Sequence, residues 1–379
     1  MFYKIKPEGD IKDIDISSIP NFDVLCAGFP CFVAGTKVLT YDGYKNIEDT
    51  NLTDTLMTHT GEFHKILNLQ RKIYDGELYT IRAKYHPSID CTQEHPFYIR
   101  EKKQKWNNEI RKYEYTFSEP TWKKAYELEK QHYFGMKINE NSIIPEFTFN
   151  KVINQYKTDK INIKLNDPDM WFMMGYFVGD GWIEETKKTG GSCANKIRFA
   201  INTTDEKYVI QRIRNILHIT DKKCPSGDNC NKYGCADFVW FQIFKKFGKY
   251  AHGKLIPEWV HDAPIQLIEH FIEGYMLADG CETTNQCYEF TTVSYNLAFG
   301  LQRLYLKLGH LFSIQKDIRA KTTIIEGRMV NQRDTYHIRG YTKENKKNTS
   351  SFIENGYVWY APFKIEKRYV EKENVYNFE

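Results

Sequence analysis

The sequence predicts an α+β chain in which an all-β fold is interrupted by a mixed domain built from two similar halves. Three observations lead there. Two apolar segments, Trp171-Phe-Met-Met-Gly-Tyr-Phe-Val-Gly-Asp-Gly181 and Phe271-Ile-Glu-Gly-Tyr-Met-Leu-Ala-Asp-Gly280, nearly repeat one another. Residues 31–100 hold short β-like runs between turn signals, and residues 356–379 return to that composition. The expected organisation is a flank at 1–30, a β domain whose two parts are 31–148 and 356–379, and an inserted domain at 149–345.

The β runs are Thr36–Thr40, Leu78–Arg82 and Phe97–Arg100, with Asp42-Gly43 and Asp75-Gly76 as turns. Residues 101–115 are highly charged and read as a loop or an exposed hairpin; Lys102-Lys103 and Lys346-Lys347 read as solvated loops. Residues 121–168 form a second β region and linker. Each apolar segment is a helical run, followed by an alternating stretch, Asn195–Asn202 or Cys287–Val293, that reads as a strand. Phe299–Gly309 places Leu301, Leu304, Tyr305 and Leu308 on one helix face. Tyr357–Tyr360 and Val375–Phe378 are the final strands.

A net charge of +4 is compatible with nucleic-acid binding without requiring it. Twenty-six Tyr and 24 Phe supply core material. Neither apolar run approaches the ~20 residues of a membrane span. Nine cysteines without a regular framework, and no secretory pattern in residues 1–30, imply reduced thiols in a cytoplasmic compartment. Cys224, Cys230 and Cys235 lack the spacing of a zinc ribbon or finger and read as free thiols in a loop.

The repeated pair has a physical logic. Gly175 and Gly179 share a helix face, as do Gly274 and Ala278, so two helix axes can approach closely. Gly181 and Gly280 are expected as left-handed caps. Asp180 and Asp279 then lie at helix C-termini, where the dipole disfavours negative charge by roughly 0.3–1 kcal/mol each. Two neighbouring carboxylates repel further. A bound Mg²⁺ offsets both costs.

These two segments resemble the paired motifs of LAGLIDADG (dodecapeptide) homing endonucleases. The resemblance implies two αββαββα halves meeting at the motif helices, and a monomer that makes double-strand cuts in a long DNA site. It implies Asp180 and Asp279 as Mg²⁺ ligands, assisted by the Gly179 and Ala278 carbonyls. Val178 and Leu277 stand where the name-giving motif has a further, non-catalytic Asp. Lys196 and Lys316 follow the motifs at distances suited to polarising water; a surface lysine is the plainer reading of each.

Cys31 opens Cys31-Phe-Val-Ala-Gly-Thr-Lys-Val-Leu-Thr40, and Thr92-Gln-Glu-His95 follows downstream. A thiol beside its own peptide carbonyl can form a thioester if the amide nitrogen is protonated and the oxyanion held. His95 could give the proton, and Thr92 could orient it or contact the scissile peptide. Taken singly, each is as readily a buried Cys or a core His. Together with Thr121-Trp-Lys-Lys-Ala125 and Glu127-Leu128, these blocks resemble inteins and Hedgehog-type (Hint) domains. The resemblance implies Cys31 as splicing nucleophile with Thr92 and His95 as activators. Val375-Tyr-Asn-Phe-Glu379 is similar to the start of that family's penultimate block, with Asn377 where Asp is common. The family's later histidine, terminal His-Asn pair and downstream nucleophile do not follow. The expected chain forms the thioester or cleaves at Pro30–Cys31, but needs a missing C-terminal segment as partner to splice.

Asp15 to Cys31, ending Gly28-Phe-Pro-Cys31, resembles the catalytic segment of DNA cytosine-5 methyltransferases, which implies an insertion in such a host and a target site in its gene. No Gly-rich cofactor loop is present, so methyl transfer is not expected. A self-processing module with an inactive endonuclease and a methyltransferase precursor are the alternatives. There is no membrane partner.

Overall fold

The computed structural model describes residues 30–185, 195–220, 224–225, 229–283, 287–325, 327–342 and 351–379. The methyltransferase-like flank up to Phe29 and the Lys346-Lys347 pair lie outside the described residues. So does the expected boundary at 345.

The β part closes on itself. Leu69–Ala83 runs antiparallel to Pro362–Phe378 over most of their lengths, although hundreds of residues separate them in sequence. The short strand Phe32–Val33 pairs with Tyr376 and Val375 on one side and Cys91 on the other, closing a barrel with His86–Thr92. Asp75-Gly76 is not a turn. The strand passes through it, and the opposite strand is irregular between Val370 and Glu373. The Asp75 carboxylate accepts the Lys372 amide there at 2.6 Å. A long strand wrapping a barrel gains curvature from such a bulge.

Beside the barrel lies a sheet ordered Thr121–Lys124, Pro96–Asn107, His132–Lys137, Tyr357–Tyr360, Ser351–Glu354. Phe97, Ile99, Phe134, Val358 and Tyr360 join Ile81 and Cys91 in one core. The C-terminal β segment therefore begins by Ser351, before the expected 356. Lys102 and Lys103 are in a strand, not a loop: Pro96–Asn107 continues into a hairpin with Lys112–Phe117.

The inserted body has internal two-fold organisation. Helix Pro168–Asp180 leads into Gly181–Glu184, then Lys196–Asn202, helix Glu206–Arg214, Cys224–Pro225, Cys230–Cys235 and helix Phe238–Lys245. Helix Ile265–Asp279 leads into Gly280–Glu282, then Cys287–Thr292, helix Tyr295–Lys307, Phe312–Asp317 and Thr335–Tyr341. Both four-stranded sheets have their first two strands adjacent and the last strand inserted third. Cys230 and Cys235 belong to a strand and are free thiols. A further hairpin, Glu146–Asn154 with Lys157–Lys164, precedes the first helix. Its Phe147 and Phe149 pack on the helical core, so the division expected at 148/149 falls inside a strand.

Local sequence explains the first motif helix. The Asp167 carboxylate accepts the Asp169 amide, and Pro168 occupies the first turn, where its missing N–H costs nothing. Trp171 to Val178 are all buried, so this helix is central rather than amphipathic. Its partner is the second motif helix, and the contact is between backbones. A Cβ on Gly175 would come 1.8 Å from the Phe271 carbonyl oxygen, and one on Gly274 would come 2.0 Å from that of Phe172. The two glycines make reciprocal contacts at equivalent places.

Gly181 and Gly280 depart from the left-handed caps expected of them. Their φ values are −108° and −99°, because each helix turns straight into an extended strand. They are glycines for space: a Cβ would fall 2.3 Å from the Phe177 ring at one and 2.6 Å from the Met276 sulfur at the other.

Helix Tyr295–Lys307 begins earlier than expected, capped by Ser294, whose Oγ accepts the Leu297 amide. It joins barrel and helical body. Asn296 Oδ1 accepts the Tyr44 amide at 2.6 Å, Gln302 donates to the Tyr85 carbonyl, and Leu306 is part of the barrel-side core. Lys307 donates to the carbonyls of Asn141, His261 and Ala263 at 2.5, 2.6 and 2.9 Å.

The backbone contact sets an expected outcome for urea unfolding. Gly274→Val destabilises by at least about 1–3 kcal/mol, because the carbonyl it meets cannot rotate away. Gly253→Ala, whose Cβ meets nothing within 4 Å, changes stability by under about 0.5 kcal/mol.

Candidate functional site

The packed motif helices end side by side, so the residues after the glycine seam converge. A Cβ on Gly179 would lie 2.4 Å from the Ala278 Cβ and 3.2 Å from the Asp279 Cβ. Asp180 and Asp279 are therefore brought to one place. Burial pushes the Asp180 carboxyl up to about 6, and the Asp279 charge adds to that. Burial also raises Asp279, against the pull of Lys254 and a Tyr275 hydroxyl at 3.4 Å. Tyr176 is the counterpart of Tyr275, four residues before the acid, but it donates to the Ala200 carbonyl instead. The halves are alike in backbone and unequal in polar partners.

Lys254 completes the cluster. Its ammonium donates to the carbonyls of Val178 and Gly179 at 2.5 and 2.7 Å, satisfying acceptors that a helix C-terminus leaves open. Burial lowers its pKa, while Asp279 and Asp180 favour its charged form. The Ser294 hydroxyl fixes the local backbone by donating to the Lys254 carbonyl at 2.5 Å. Sequence reasoning missed Lys254. It lies in Lys254-Leu-Ile-Pro257, between two short helical turns, and only the tertiary fold carries it to the acids.

Lys196 and Lys316 are not brought there. Lys196 pairs with Glu184, three rungs along the hairpin from Gly181 and about 10 Å away by strand rise. Lys316 sits on the far strand of the second sheet and bonds Asp334 at 2.8 Å. The Gly179 carbonyl, expected to face a metal, accepts from Lys254.

The donor set is of hard oxygen. Among the described residues, no group of three or more His, Cys, Asp or Glu side chains could hold a metal ion. The pair of carboxylates fits Mg²⁺, which commonly takes one or two carboxylates and fills its shell with water and phosphate oxygens.

The barrel holds a second constellation. The Cys31 amide donates to Thr92 Oγ1 at 3.0 Å, and the Cys31 carbonyl accepts the Thr92 amide at 2.9 Å. Thr92 thus grips residue 31 at both ends. His95 follows through a turn closed by its amide on the Thr92 carbonyl, and its ring lies 4.1 Å from that of Phe32. Burial lowers the imidazole pKa to about 4, so it is neutral at pH 7, and its Nδ1 has no partner among the described residues. Burial raises the Cys31 thiol, opposed by Lys72, so the thiol is protonated.

Residues 266–378 match the family model of the LAGLIDADG-like domain. That LAGLIDADG-like segment begins in the second motif helix and runs through the last barrel strand. The chain is 25% identical to the ATP-dependent DNA helicase Hel308 of Thermococcus kodakarensis, over 77% of this chain and 28% of that protein. It is 20% identical to the ribonucleoside-diphosphate reductase NrdEB subunit alpha of Bacillus subtilis, over 93% of this chain and 31% of that one. The chain thus spans less than a third of either relative. Among solved structures, I-DmoI in complex with DNA and Mn is similar at 13% identity and a TM-score of 0.33, covering 46% of this chain and 89% of that one. The AceL NrdHF class 3 split intein is similar at 24% identity and a TM-score of 0.22, covering 36% and 79%. At these scores the fold rests on the elements described above.

In a chelator, the Asp180 shift makes stability pH-dependent. The unfolded carboxyl releases its proton near 3.8 and the folded one near 6, so the native state binds more protons between them. Stability therefore falls as pH rises through that window. Denaturant titrations across it are expected to show the fall in the wild type, a flatter profile in Asp180→Asn and a steeper one in Lys254→Met.

Proposed function

We propose that this chain is an intein-type self-processing protein that carries a site-specific, divalent-metal-dependent DNA endonuclease. One observation carries the nuclease reading: the reciprocal glycine contact that sets the half-buried Asp180 carboxylate, the more exposed Asp279 carboxylate and a lysine at one point between two matched sheets. Acids made uncomfortable by burial and by each other are a standing demand for a cation. A bound Mg²⁺ or Mn²⁺ would activate water and offset charge on the leaving oxygen. Asp180 and Asp279 hold and orient; Lys254 limits their repulsion and supplies positive charge beside a phosphate. Basic side chains on the two sheets bind the backbone of a long duplex site. The chain works as a monomer, since both acids come from it.

The barrel supports self-processing. Thr92 fixes the peptide on either side of Cys31. In an N-to-S acyl shift, the Cys31 sulfur bonds the Pro30 carbonyl carbon, the carbon–nitrogen bond breaks, and the thiol proton ends on the freed amine. Neutral His95 is suited to relay that proton. The relatives add support. A helicase and a reductase share little by name, yet both match this chain over a minor part of their length, as an inserted element would. The Gly28-Phe-Pro-Cys31 segment favours a cytosine-5 methyltransferase gene as the home of the target. Cys31, Cys91, Cys230, Cys235, Cys281 and Cys287 are free thiols, in keeping with a reducing cytoplasm.

A supercoiled plasmid bearing the uninterrupted methyltransferase gene is expected to be linearised with Mg²⁺ or Mn²⁺ and untouched in chelator. Asp180→Asn and Asp279→Asn each lower cutting by about 10²-fold or more, comparable to losing one transition-state contact. A plasmid uncut at every metal concentration points to the inactive-endonuclease reading. Separately, with a reporter fused upstream of Pro30, added thiol releases the reporter from the wild type and leaves Cys31→Ala intact on a gel.

A further inference from the structure

The Pro96–Asn107 strand belongs to the barrel-side sheet only at its root. Residues 96–101 pair with Thr121–Lys124 and His132–Lys137, and the Lys102 amide still donates to the Gln131 carbonyl at 2.8 Å; beyond it, among the described residues, the only strand partner is Lys112–Phe117. The remainder is a free two-stranded arm about 20 Å long by strand rise. Its turn is set by Asn107, whose side chain accepts the Glu109 amide, and by Arg111 in a left-handed conformation at φ 47°.

The two faces differ. Register puts Lys102, Gln104, Trp106, Tyr113, Tyr115 and Phe117 on one face. Trp106 meets Tyr113 edge-on at 4.9 Å, the Lys102 ammonium sits 3.9 Å over Tyr115, and Phe117 anchors the root against Tyr133 and Phe352. Cross-strand aromatic pairs of this kind stiffen an isolated hairpin. The other face carries Lys103, Lys105 and Lys112, all exposed, with Arg111 beside them at the turn and one acid, Glu114, opposite Lys105 and bonded by the Asn107 amide group at 2.8 Å. Among the described residues, Lys105, Arg111 and Lys112 have no ion-pair partner, and Lys103 has only Glu101 at 3.9 Å. Residues 102–117 hold five Lys or Arg against two Glu, a surplus of three in a chain whose whole net charge is +4.

We infer that this arm is a second DNA-contacting element, outside the paired sheets, that lays its basic face on the phosphates of duplex DNA. The inference rests on the endonuclease reading and extends it to a part of the chain the nuclease fold does not contain. A stiff two-stranded ribbon fits the width of a major groove. Unpaired, projecting cations are the groups from which binding releases condensed counterions. Loose surface charge would be spread over the protein; here most of the net charge lies on one arm with an aromatic brace behind it. The contact needs no sequence readout, so it adds affinity and footprint rather than specificity.

The test is fluorescence anisotropy of the full chain with a labelled duplex of arbitrary sequence, in chelator, from about 50 to 200 mM salt. Lys105→Gln/Arg111→Gln/Lys112→Gln is expected to weaken binding roughly tenfold at the low end and to reduce the slope of log K against log salt by about two to three. A matched control, Lys65→Gln/Lys130→Gln/Arg368→Gln, removes three exposed cations that also have no ion-pair partner among the described residues but lie off the arm, and keeps the wild-type slope. All these positions are exposed, so folding is unaffected, and an unchanged melting temperature verifies it. Wild-type binding with an unaltered slope in the arm variant overturns the arm proposal alone, as does an equal drop in the control. A wild type that binds no duplex even at low salt overturns the endonuclease reading, and this inference with it.

Discussion

The molecule is organised around two carbonyl oxygens, those of Phe271 and Phe172, each occupying the space a side chain would need on the glycine opposite. Helix axes this close are locked in register, because displacement along the seam drives a Cβ or a carbonyl into backbone. The residues beyond the seam inherit that register. Gly179 meets Ala278 one turn later, and the acids come next. Two sheets hang from the helix ends at Gly181 and Gly280, so their relative orientation is set by the same contact. A single steric constraint thus positions both the chemistry and the surfaces on either side.

That constraint creates an electrostatic problem and the fold answers it locally. Partial burial of Asp180 and the Asp279 charge beside it, both at helix C-termini, lift Asp180 well above an ordinary carboxyl. Lys254 answers from outside both helices, on a segment tied by Ser294. It contacts carbonyls of the first helix, whereas the second acid has Tyr275. Two-fold backbone symmetry does not impose two-fold chemistry.

Much of this was legible in sequence because sterics leave a mark there. Small residues four apart in two matching segments have few other uses, and strand alternation after each was equally plain. The misreadings have physical causes. Gly181 and Gly280 look like left-handed caps, but each helix passes into a strand and the missing side chain makes room for Phe177 or Met276 instead. Asp75-Gly76 has turn composition yet lies in a bulged strand, since only the distant partner strand, with Lys372 bonded to Asp75, shows that pairing continues. Lys102-Lys103 looks like solvated loop because the braced hairpin depends on cross-strand neighbours that charge counting ignores. Lys196 and Lys316 follow the acids closely in sequence but the strands carry them away, while Lys254 arrives from a segment with no periodic signal of its own.

The Tyr295–Lys307 helix has a double allegiance. One side completes the second half of the helical body; the other gives Leu306 to the barrel-side core, its Gln302 bonds the Tyr85 carbonyl at the turn of a barrel hairpin, and its Asn296 bonds Tyr44 in the separate strand Gly43–Asn46. The two bodies therefore share one load. Loosening the glycine-packed helices would slacken this helix and, through Leu306, open a gap in the core beside the barrel. A defect confined to one fold should be felt in the melting of the other.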